Sequence, residues 1–173
     1  GLLPSERVTR AKARTAGHAV VLYGATTGRD GIGGASVLAS AELGDGDDAK
    51  RPTVQIGDPF EEKKLLECSL ELLDAGLLVA LQDLGAAGIT SSASEMAAKG
   101  GVGIEIETDR VPLRESGMEP TEVMISESQE RMLAVVEPEK VDEVLWIAER
   151  YELVGAVLGR VADHGDLRVI HHG

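Results

Sequence analysis

The sequence predicts an α+β fold, a layered sandwich in which helices pack against a mixed β-sheet. Three observations lead to this prediction. Short apolar runs and amphipathic helical stretches alternate irregularly along the chain. Several of the predicted strands mix apolar and polar residues, which indicates that they are partly exposed. No internal repeat or low-complexity tract interrupts the pattern, and 173 residues are enough to bury a core.

The predicted strands are short apolar runs that end at glycine or at a polar turn. They cover residues 18–24, 77–82, 103–108 and 131–138, with two more in 153–172 around the Asp-His-Gly turn at 163–165. Residues 35–43 are ambiguous between strand and helix, and we favour a strand. Residues 44–52 are polar and acidic, which is typical of an exposed loop.

The first predicted helix has the clearest boundaries. Asp58 is a candidate N-cap, Pro59 takes the first helical position, and Glu61 completes a capping box. An apolar stripe at helical spacing includes Cys68, and Gly76 ends the helix.

Two further helices are predicted. One spans Ser91 to Lys99, with Ser92 and Glu95 as a second capping box, and the other covers residues 139–152. The basic, weakly patterned residues 1–17 are predicted to be a connecting segment, and residues 18–173 one domain. Because the chain does not begin with Met and stops in an apparent hairpin arm, we expect an excerpt of a longer chain; a ragged but complete terminus is the alternative.

Composition excludes several classes of partner. The formal net charge of −13 disfavours nucleic acid and anionic membranes, and no apolar run is long enough to span a bilayer. The single cysteine, Cys68, cannot form an intramolecular disulfide and is typical of a reducing cytoplasm.

Asp83 is the strongest candidate for a functional residue on local grounds. It follows the apolar run at 77–81 and precedes a glycine-rich turn and a helix start, a place where ligands bind in open sheets. One carboxylate together with phosphate oxygens and waters is a common way of holding Mg²⁺. The alternative is a simple turn aspartate.

A glycine-rich loop at 28–34 is the second candidate. Its spacing matches neither a dinucleotide fingerprint nor a P-loop. Its backbone N–H groups can still converge on an anion, and Arg29 can add positive charge. A tight turn between strands is the alternative. The possible phosphate-binding residues are Gly28, Arg29, Asp30, Gly31, Gly33 and Gly34.

Polar residues at two other places suggest ligand contacts. Gln55 lies on a predicted strand that runs into the first helix in the segment VQIGDPF (54–60), and its amide can both donate and accept hydrogen bonds. The segment 126–130 is polar between two apolar runs, and Glu127 and Gln129 share one face if it is extended. A solvated surface explains either feature equally well. His164, His171 and His172 lack partners at ligand spacing, which argues against a zinc site.

Taken together and in order, five segments resemble phosphoribosylformylglycinamidine synthase, the large synthetase component of purine biosynthesis. They are TGRDGIGGAS, VQIGDPFEEKKLLE, QDLGAAGITSSASEMAAKG, VPLRESGMEPTEVMISESQERMLAVV and LGRVADHGDLRV. The resemblance covers the chain from about Gly17 onward and corresponds to the first aminoimidazole-ribonucleotide (AIR)-synthetase-type C-terminal domain of that family.

The resemblance implies roles for individual residues. The substrate-contacting glutamine of the family matches Gln55, and its Mg²⁺-binding aspartate matches Asp83. Its substrate-binding Glu-Ser-Gln triplet matches Glu127, Ser128 and Gln129. The loop at 28–34 also matches, without a definite ligand.

The implied reaction consumes ATP and converts formylglycinamide ribonucleotide to the amidine with ammonia from a glutaminase subunit or domain. The catalytic histidines, the ATP-contacting lysine and the remaining metal ligands of the family belong to an upstream ATP-binding domain with no counterpart in these residues. The isolated chain is therefore expected to be inactive. The alternatives are another member of the superfamily, AIR synthetase or selenophosphate synthetase, and a non-catalytic nucleotide-binding or assembly module.

Overall fold

The computed structural model describes residues 4–32 and 57–173, and within them six strands form one mixed sheet. The strands are β1 (Ala19–Gly24), β2 (Leu78–Asp83), β3 (Gly103–Glu107), β4 (Arg131–Val136), β5 (Val154–Ala162) and β6 (Leu167–Ile170). Their order across the sheet is β2-β4-β1-β5-β3-β6. Only β3 and β6 pair in parallel; the other neighbours are antiparallel.

Helices cover both faces of the sheet. The α-helices of the described residues are α1 (Pro59–Asp74), α2 (Gly88–Gly100), α3 (Pro120–Ile125) and α4 (Val141–Arg150). Apolar residues of α2 and α3 pack on one face, and those of α1 and α4 on the other. The predicted α+β sandwich with a mixed sheet is confirmed.

The position of β1 between two cores explains why its sequence is continuously apolar. Val20 and Leu22 enter the core beneath α2, whereas Val21 and Tyr23 enter the core beneath α1. Because successive side chains of a strand point to opposite faces, a strand covered on both sides needs apolar residues at every position. The predicted strand 35–43 and the loop 44–52 lie outside the described residues.

The start of α1 agrees with the prediction in part. The Asp58 carboxylate accepts hydrogen bonds from the N–H groups of Phe60 (2.9 Å) and Glu61 (3.3 Å), so it is the N-cap. The Asp58 N–H, however, donates to Glu130 (3.0 Å) and not to Glu61, which pairs with Lys64. The predicted capping box is therefore wrong, because a residue from a distant loop takes the place of Glu61.

The start of α2 differs more. The helix begins at Gly88, earlier than the predicted Ser91, and its N-cap is Ala87 in the left-handed conformation with no side-chain cap. The Ser92 hydroxyl donates to the carbonyl of Asp83 (2.8 Å), while Glu95 bonds Gln82 and Lys99. The second predicted capping box is wrong, because both of its side chains bond elsewhere.

Cys68 lies on the buried stripe of α1, as the helical pattern predicts. Burial raises the pKa of its thiol to about 11, which keeps it protonated at neutral pH. None of the described helices is long and apolar enough to cross a membrane.

Part of the N-terminal segment packs on the domain. Ala13 is fully buried, and its N–H donates to the carbonyl of Met96 at 3.1 Å. The division of the chain into a connecting segment, 1–17, and a domain, 18–173, stays a prediction.

Candidate functional site

The candidate site lies at one edge of the sheet. The antiparallel register pairs Asp83 at the end of β2 with Met132 of β4, and Gly24 at the end of β1 with Arg131. The ends of β1 and β2 therefore meet the start of β4, directly after the polar segment 126–130. The N-terminus of α1 joins them through the hydrogen bond from Asp58 to Glu130.

The glycine-rich loop and the Glu-Ser-Gln triplet fit against each other. The Gly28 N–H donates to the Ser128 hydroxyl (3.0 Å), and the Glu127 N–H donates to the Asp30 carbonyl (2.8 Å). The Ser128 hydroxyl also donates to the Asp30 carboxylate. Ser128 and Glu127 are 1% and 4% exposed. Two motifs about 100 residues apart in sequence thus form one buried unit.

A second contact ties the triplet to the turn after β2. The Glu127 carboxylate accepts the N–H of Ala87 at 3.0 Å. Gly31 has φ +62° and lies so close to Glu127 that an added Cβ would contact its side chain at 2.6 Å. A glycine is required there by the close approach as well as by the backbone angle.

Arg131 is a buried residue that hydrogen-bonds to this unit. The sequence pattern did not identify it as a candidate. Its guanidinium is 2% exposed and donates to the Thr27 hydroxyl (2.8 Å) and to the carbonyls of Ser128 (2.8 Å) and Ser126 (2.6 Å). Burial lowers the pKa of Arg131 to about 10, and the nearby Asp30 carboxylate opposes that shift.

Arg29 does not face an open ligand site. It bonds the carboxylates of Glu122 (2.9 Å) and Glu115 (3.2 Å), and the hydrogen bond to Glu122 raises its pKa above the ordinary value. The guanidinium beside the loop is instead that of Arg114, which pairs with Asp30 and lies against Gly28. Sequence reasoning missed Arg114 because its segment is irregular.

Gln129 lines a cavity of about 530 Å³. Its side-chain amide donates to the Glu127 carbonyl at 2.7 Å, and the cavity is bordered by Thr26, Asp58 and Arg114. The cavity is therefore lined by both positive and negative groups, including the guanidinium of Arg114 and the carboxylate of Asp58.

Asp83 lies at the same edge but borders a different cavity, of about 830 Å³, together with Asp74 and Met132. It is exposed, and within residues 4–32 and 57–173 no group hydrogen bonds to its carboxylate. The structure thus brings Asp83 and the triplet to one edge without placing them in one cavity. Gln55, Gly33 and Gly34 lie outside the described residues.

The histidines correct one expectation. His171 and His172 do have partners: Asp109 lies 3.1 Å and 3.0 Å from their Nδ1 atoms. His164 lies 3.2 Å from Glu105. The argument from sequence spacing was wrong because strand pairing, not local spacing, brings these groups together.

A mixed six-stranded sheet with helices on both faces defines an α+β sandwich domain. The profile of one family, described as AIR synthase related protein, C-terminal domain, matches residues 15–172. The chain belongs to this family.

The chain is also similar to individual proteins of known sequence or structure. The chain is 53% identical over its full length to phosphoribosylformylglycinamidine synthase subunit PurL of Thermoanaerobacter sp. strain X514. It resembles the structure of Thermotoga maritima PurL complexed with FGAR, with a TM-score of 0.89, 46% identity and 97% of this chain covered. The T. maritima PurL complex with ATP matches with a TM-score of 0.85, 40% identity and 99% coverage. The chain spans only 24% of the Thermoanaerobacter protein and 28% and 26% of the two T. maritima chains.

Proposed function

We propose that this chain is the part of a phosphoribosylformylglycinamidine synthase that contributes Mg²⁺ and substrate contacts. The enzyme would convert formylglycinamide ribonucleotide to the corresponding amidine in purine biosynthesis. Relatives named PurL, at 51–55% identity over 94–100% of the chain, support this proposal. The T. maritima PurL complexes with FGAR and with ATP support the choice of substrate and co-substrate.

One observation carries the proposal: three motifs of the family meet at one edge of the sheet. The glycine loop bonds the triplet through Gly28 and Ser128, and the triplet bonds the turn after Asp83 through Glu127 and Ala87. A structural module without a ligand would have no need to join two glycine-rich segments to a polar triplet in this way.

Within the triplet, the side chains differ in what they offer a substrate. Gln129 borders the 530 Å³ cavity, so its amide is available to orient a polar ligand. Glu127 and Ser128 are buried, and their side chains hold the loop and the turn in place. We propose that all three bind substrate as a unit, with Gln55 as a further contact. The loop 28–34 is proposed to bind phosphate together with Arg114, which lines the cavity, since Arg29 is engaged by carboxylates.

Asp83 fits the role of one Mg²⁺ ligand. Its carboxylate is exposed and has no hydrogen-bond partner among the described residues, so it can bind a cation without breaking an existing contact. Mg²⁺ is commonly held by one or two carboxylates, with waters and phosphate oxygens completing its shell. When bound, it would neutralise charge on a transferring phosphate.

The reaction would use ATP to phosphorylate the amide oxygen of the substrate, after which ammonia displaces phosphate to form the amidine. The residues of this chain would hold the substrate and orient its amide, which is the main protein contribution in phosphoryl transfer. ATP contacts and catalytic groups would come from an upstream domain, and ammonia from a glutaminase subunit or domain. We place this ligase in the cytoplasm, which the single free thiol supports.

The isolated chain should be catalytically inactive. It is expected to form no amidine from ATP, ammonia and formylglycinamide ribonucleotide in the presence of Mg²⁺, because it spans only about a quarter of the PurL relatives. Product formation is measured by chromatography, with T. maritima PurL as the positive control. Turnover by the purified chain alone would contradict the assignment of catalysis to an upstream domain.

The role of Asp83 is best tested in a chimera in which this chain replaces the matching segment of T. maritima PurL. The chimera should form amidine, and Asp83→Asn should lower its turnover by about a hundredfold, because loss of a metal ligand costs at least as much as loss of its supporting contacts. The measurement is ammonia-dependent product formation across a range of Mg²⁺ concentrations.

Asp74→Asn is the matched control. Asp74 is an exposed carboxylate that lines the same cavity but pairs with Arg7, so its loss should leave turnover nearly unchanged. Equal activity of the Asp83→Asn chimera and the parent chimera would rule out metal binding by Asp83. An inactive but folded parent chimera would count against the proposed function as a whole.

The alternatives are not favoured. AIR synthetase and selenophosphate synthetase are disfavoured by the Ser-Glu-Ser-Gln-Glu-Arg segment at 126–131 and by the PurL relatives. A non-catalytic module predicts that Asp83→Asn is tolerated in the chimera, so the same experiment decides between them.

A further inference from the structure

A cluster of two imidazoles and one carboxylate lies outside the proposed substrate site. Strands β3 and β6 pair in parallel, with Ile106 beside Val169 and Glu107 beside Ile170. The two strands therefore end together. Asp109, in the turn after β3, meets His171 and His172, which directly follow β6.

The donor atoms of this cluster converge. The Nδ1 atoms of His171 and His172 lie 3.1 Å and 3.0 Å from the same Asp109 oxygen. One ligand atom from each residue can be chosen so that all three lie within 4.8 Å of one another. The rings of the two histidines are 3.9 Å apart between centroids.

The backbone of His172 makes this convergence possible. Consecutive residues of an extended chain point their side chains to opposite sides. His172 instead has φ +56°, a left-handed conformation that non-glycine residues rarely adopt, and its N–H donates to the other Asp109 oxygen at 2.6 Å. Both imidazoles consequently face one carboxylate.

We propose that Asp109, His171 and His172 bind a divalent transition-metal ion, with Zn²⁺ as the best-fitting member of the class. Zn²⁺ binds imidazole nitrogen and carboxylate oxygen at about 2.0–2.2 Å, so tetrahedral ligands lie roughly 3.3 Å apart. The nitrogen–oxygen separations of 3.0 and 3.1 Å are already close to that value. The ion binds between the two Nδ1 atoms and the Asp109 oxygen, and the Thr108 hydroxyl lies 2.9 Å from the His171 Nδ1. Water fills the remaining position because all three residues are exposed.

The chemistry of the ligands separates this site from the proposed Mg²⁺ site. Imidazole suits zinc, copper and nickel, whereas Mg²⁺ prefers oxygen ligands. Asp83 lies on β2 and the cluster follows β6, at opposite ends of the strand order. Five strand spacings of about 4.8 Å put the two about 24 Å apart. The inference therefore does not depend on the proposed function.

Metal binding is tested on the full 173-residue chain by equilibrium dialysis against ZnCl₂ in excess Mg²⁺. One zinc ion per chain is expected. The single substitutions Asp109→Asn, His171→Gln and His172→Asn should each weaken binding at least about tenfold, since even supporting contacts of a metal site are worth that much. Asparagine at 172 is chosen because it tolerates a positive φ. CoCl₂ gives a second measurement, an absorption band of four-coordinate cobalt that the variants should lose.

His164→Gln is the matched control. His164 is paired with one carboxylate, Glu105, at 3.2 Å, so it reproduces a single imidazole–carboxylate pair without the second imidazole. This variant should bind zinc like the parent. The proposal is overturned if the parent chain binds no zinc, if the triple variant of Asp109, His171 and His172 binds as well as the parent, or if His164→Gln abolishes binding. Circular dichroism of each variant confirms that the fold is retained, which matters most for His164→Gln because the His164 side chain is only 19% exposed.

Discussion

Replacing Arg131 with methionine is expected to lower the free energy of unfolding by about 4 kcal/mol. Methionine fills much of the same volume but cannot donate hydrogen bonds. The Thr27 hydroxyl and the carbonyls of Ser126 and Ser128 would lose a buried donor, and no water can easily replace it because Arg131 is 2% exposed. Each unsatisfied buried acceptor costs about 1–3 kcal/mol.

The measurement is urea unfolding followed by circular dichroism, comparing midpoints at equal slope. Arg160→Met is the matched control: the Arg160 side chain is 67% exposed, and its partner Glu105 keeps its contact with His164 at 3.2 Å when Arg160 is replaced. Loss of the ion pair between Arg160 and Glu105 should lower the free energy of unfolding by about 0.5 kcal/mol or less. A similar loss in both variants would show that Arg131 is held in place by its neighbours without contributing to their stability.

Features encoded within a few residues of sequence were predicted well. The N-cap role of Asp58 depends only on the N–H groups of Phe60 and Glu61, so a local pattern was sufficient to predict it. The strands were located because their apolar runs reflect burial at each position, most clearly in β1, whose two faces enter two cores.

Features created by distant contacts were missed. Arg131 reaches Thr27, 104 positions earlier, and Glu130 caps the N–H of Asp58, 72 positions earlier. A charged residue at the start of a strand normally indicates exposure, so sequence alone gave no reason to expect a buried guanidinium. The Asp109–His171–His172 cluster was missed for the same reason, because it arises from the parallel pairing of β3 and β6.

The candidate site illustrates both cases. Asp83 was predicted to end a strand before a glycine-rich turn, and the structure places it exposed at the end of β2. Arg29 was the expected cation of the glycine loop, yet Glu115 and Glu122 engage it, and Arg114 lies beside the loop instead. Which of the two arginines lies beside the loop depends on tertiary partners that no local pattern contains.

Substituting Gly88 with alanine is expected to cost about 4 kcal/mol of unfolding free energy, because two penalties combine. Gly88 has φ +52°, and a left-handed alanine costs roughly 1–2 kcal/mol. An added methyl group would also overlap the carbonyl oxygen of Ser126 and lie 3.3 Å from that of Met124. Since both are backbone atoms, the first turn of α2 or the segment before the triplet must move, and such overpacking typically costs about 1–3 kcal/mol more.

Gly76→Ala separates the two penalties. Gly76 has a similar φ of +66°, but a methyl group there would meet nothing within 4 Å, so only the conformational cost of roughly 1–2 kcal/mol should remain. Urea unfolding of both variants then gives the cost of the contact between α2 and Ser126 by difference. Equal losses would mean that this contact is easily relieved. A larger loss at Gly88 would show that the turn after Asp83 is held rigidly against the segment that carries Glu127, Ser128 and Gln129, as a preorganised binding edge requires.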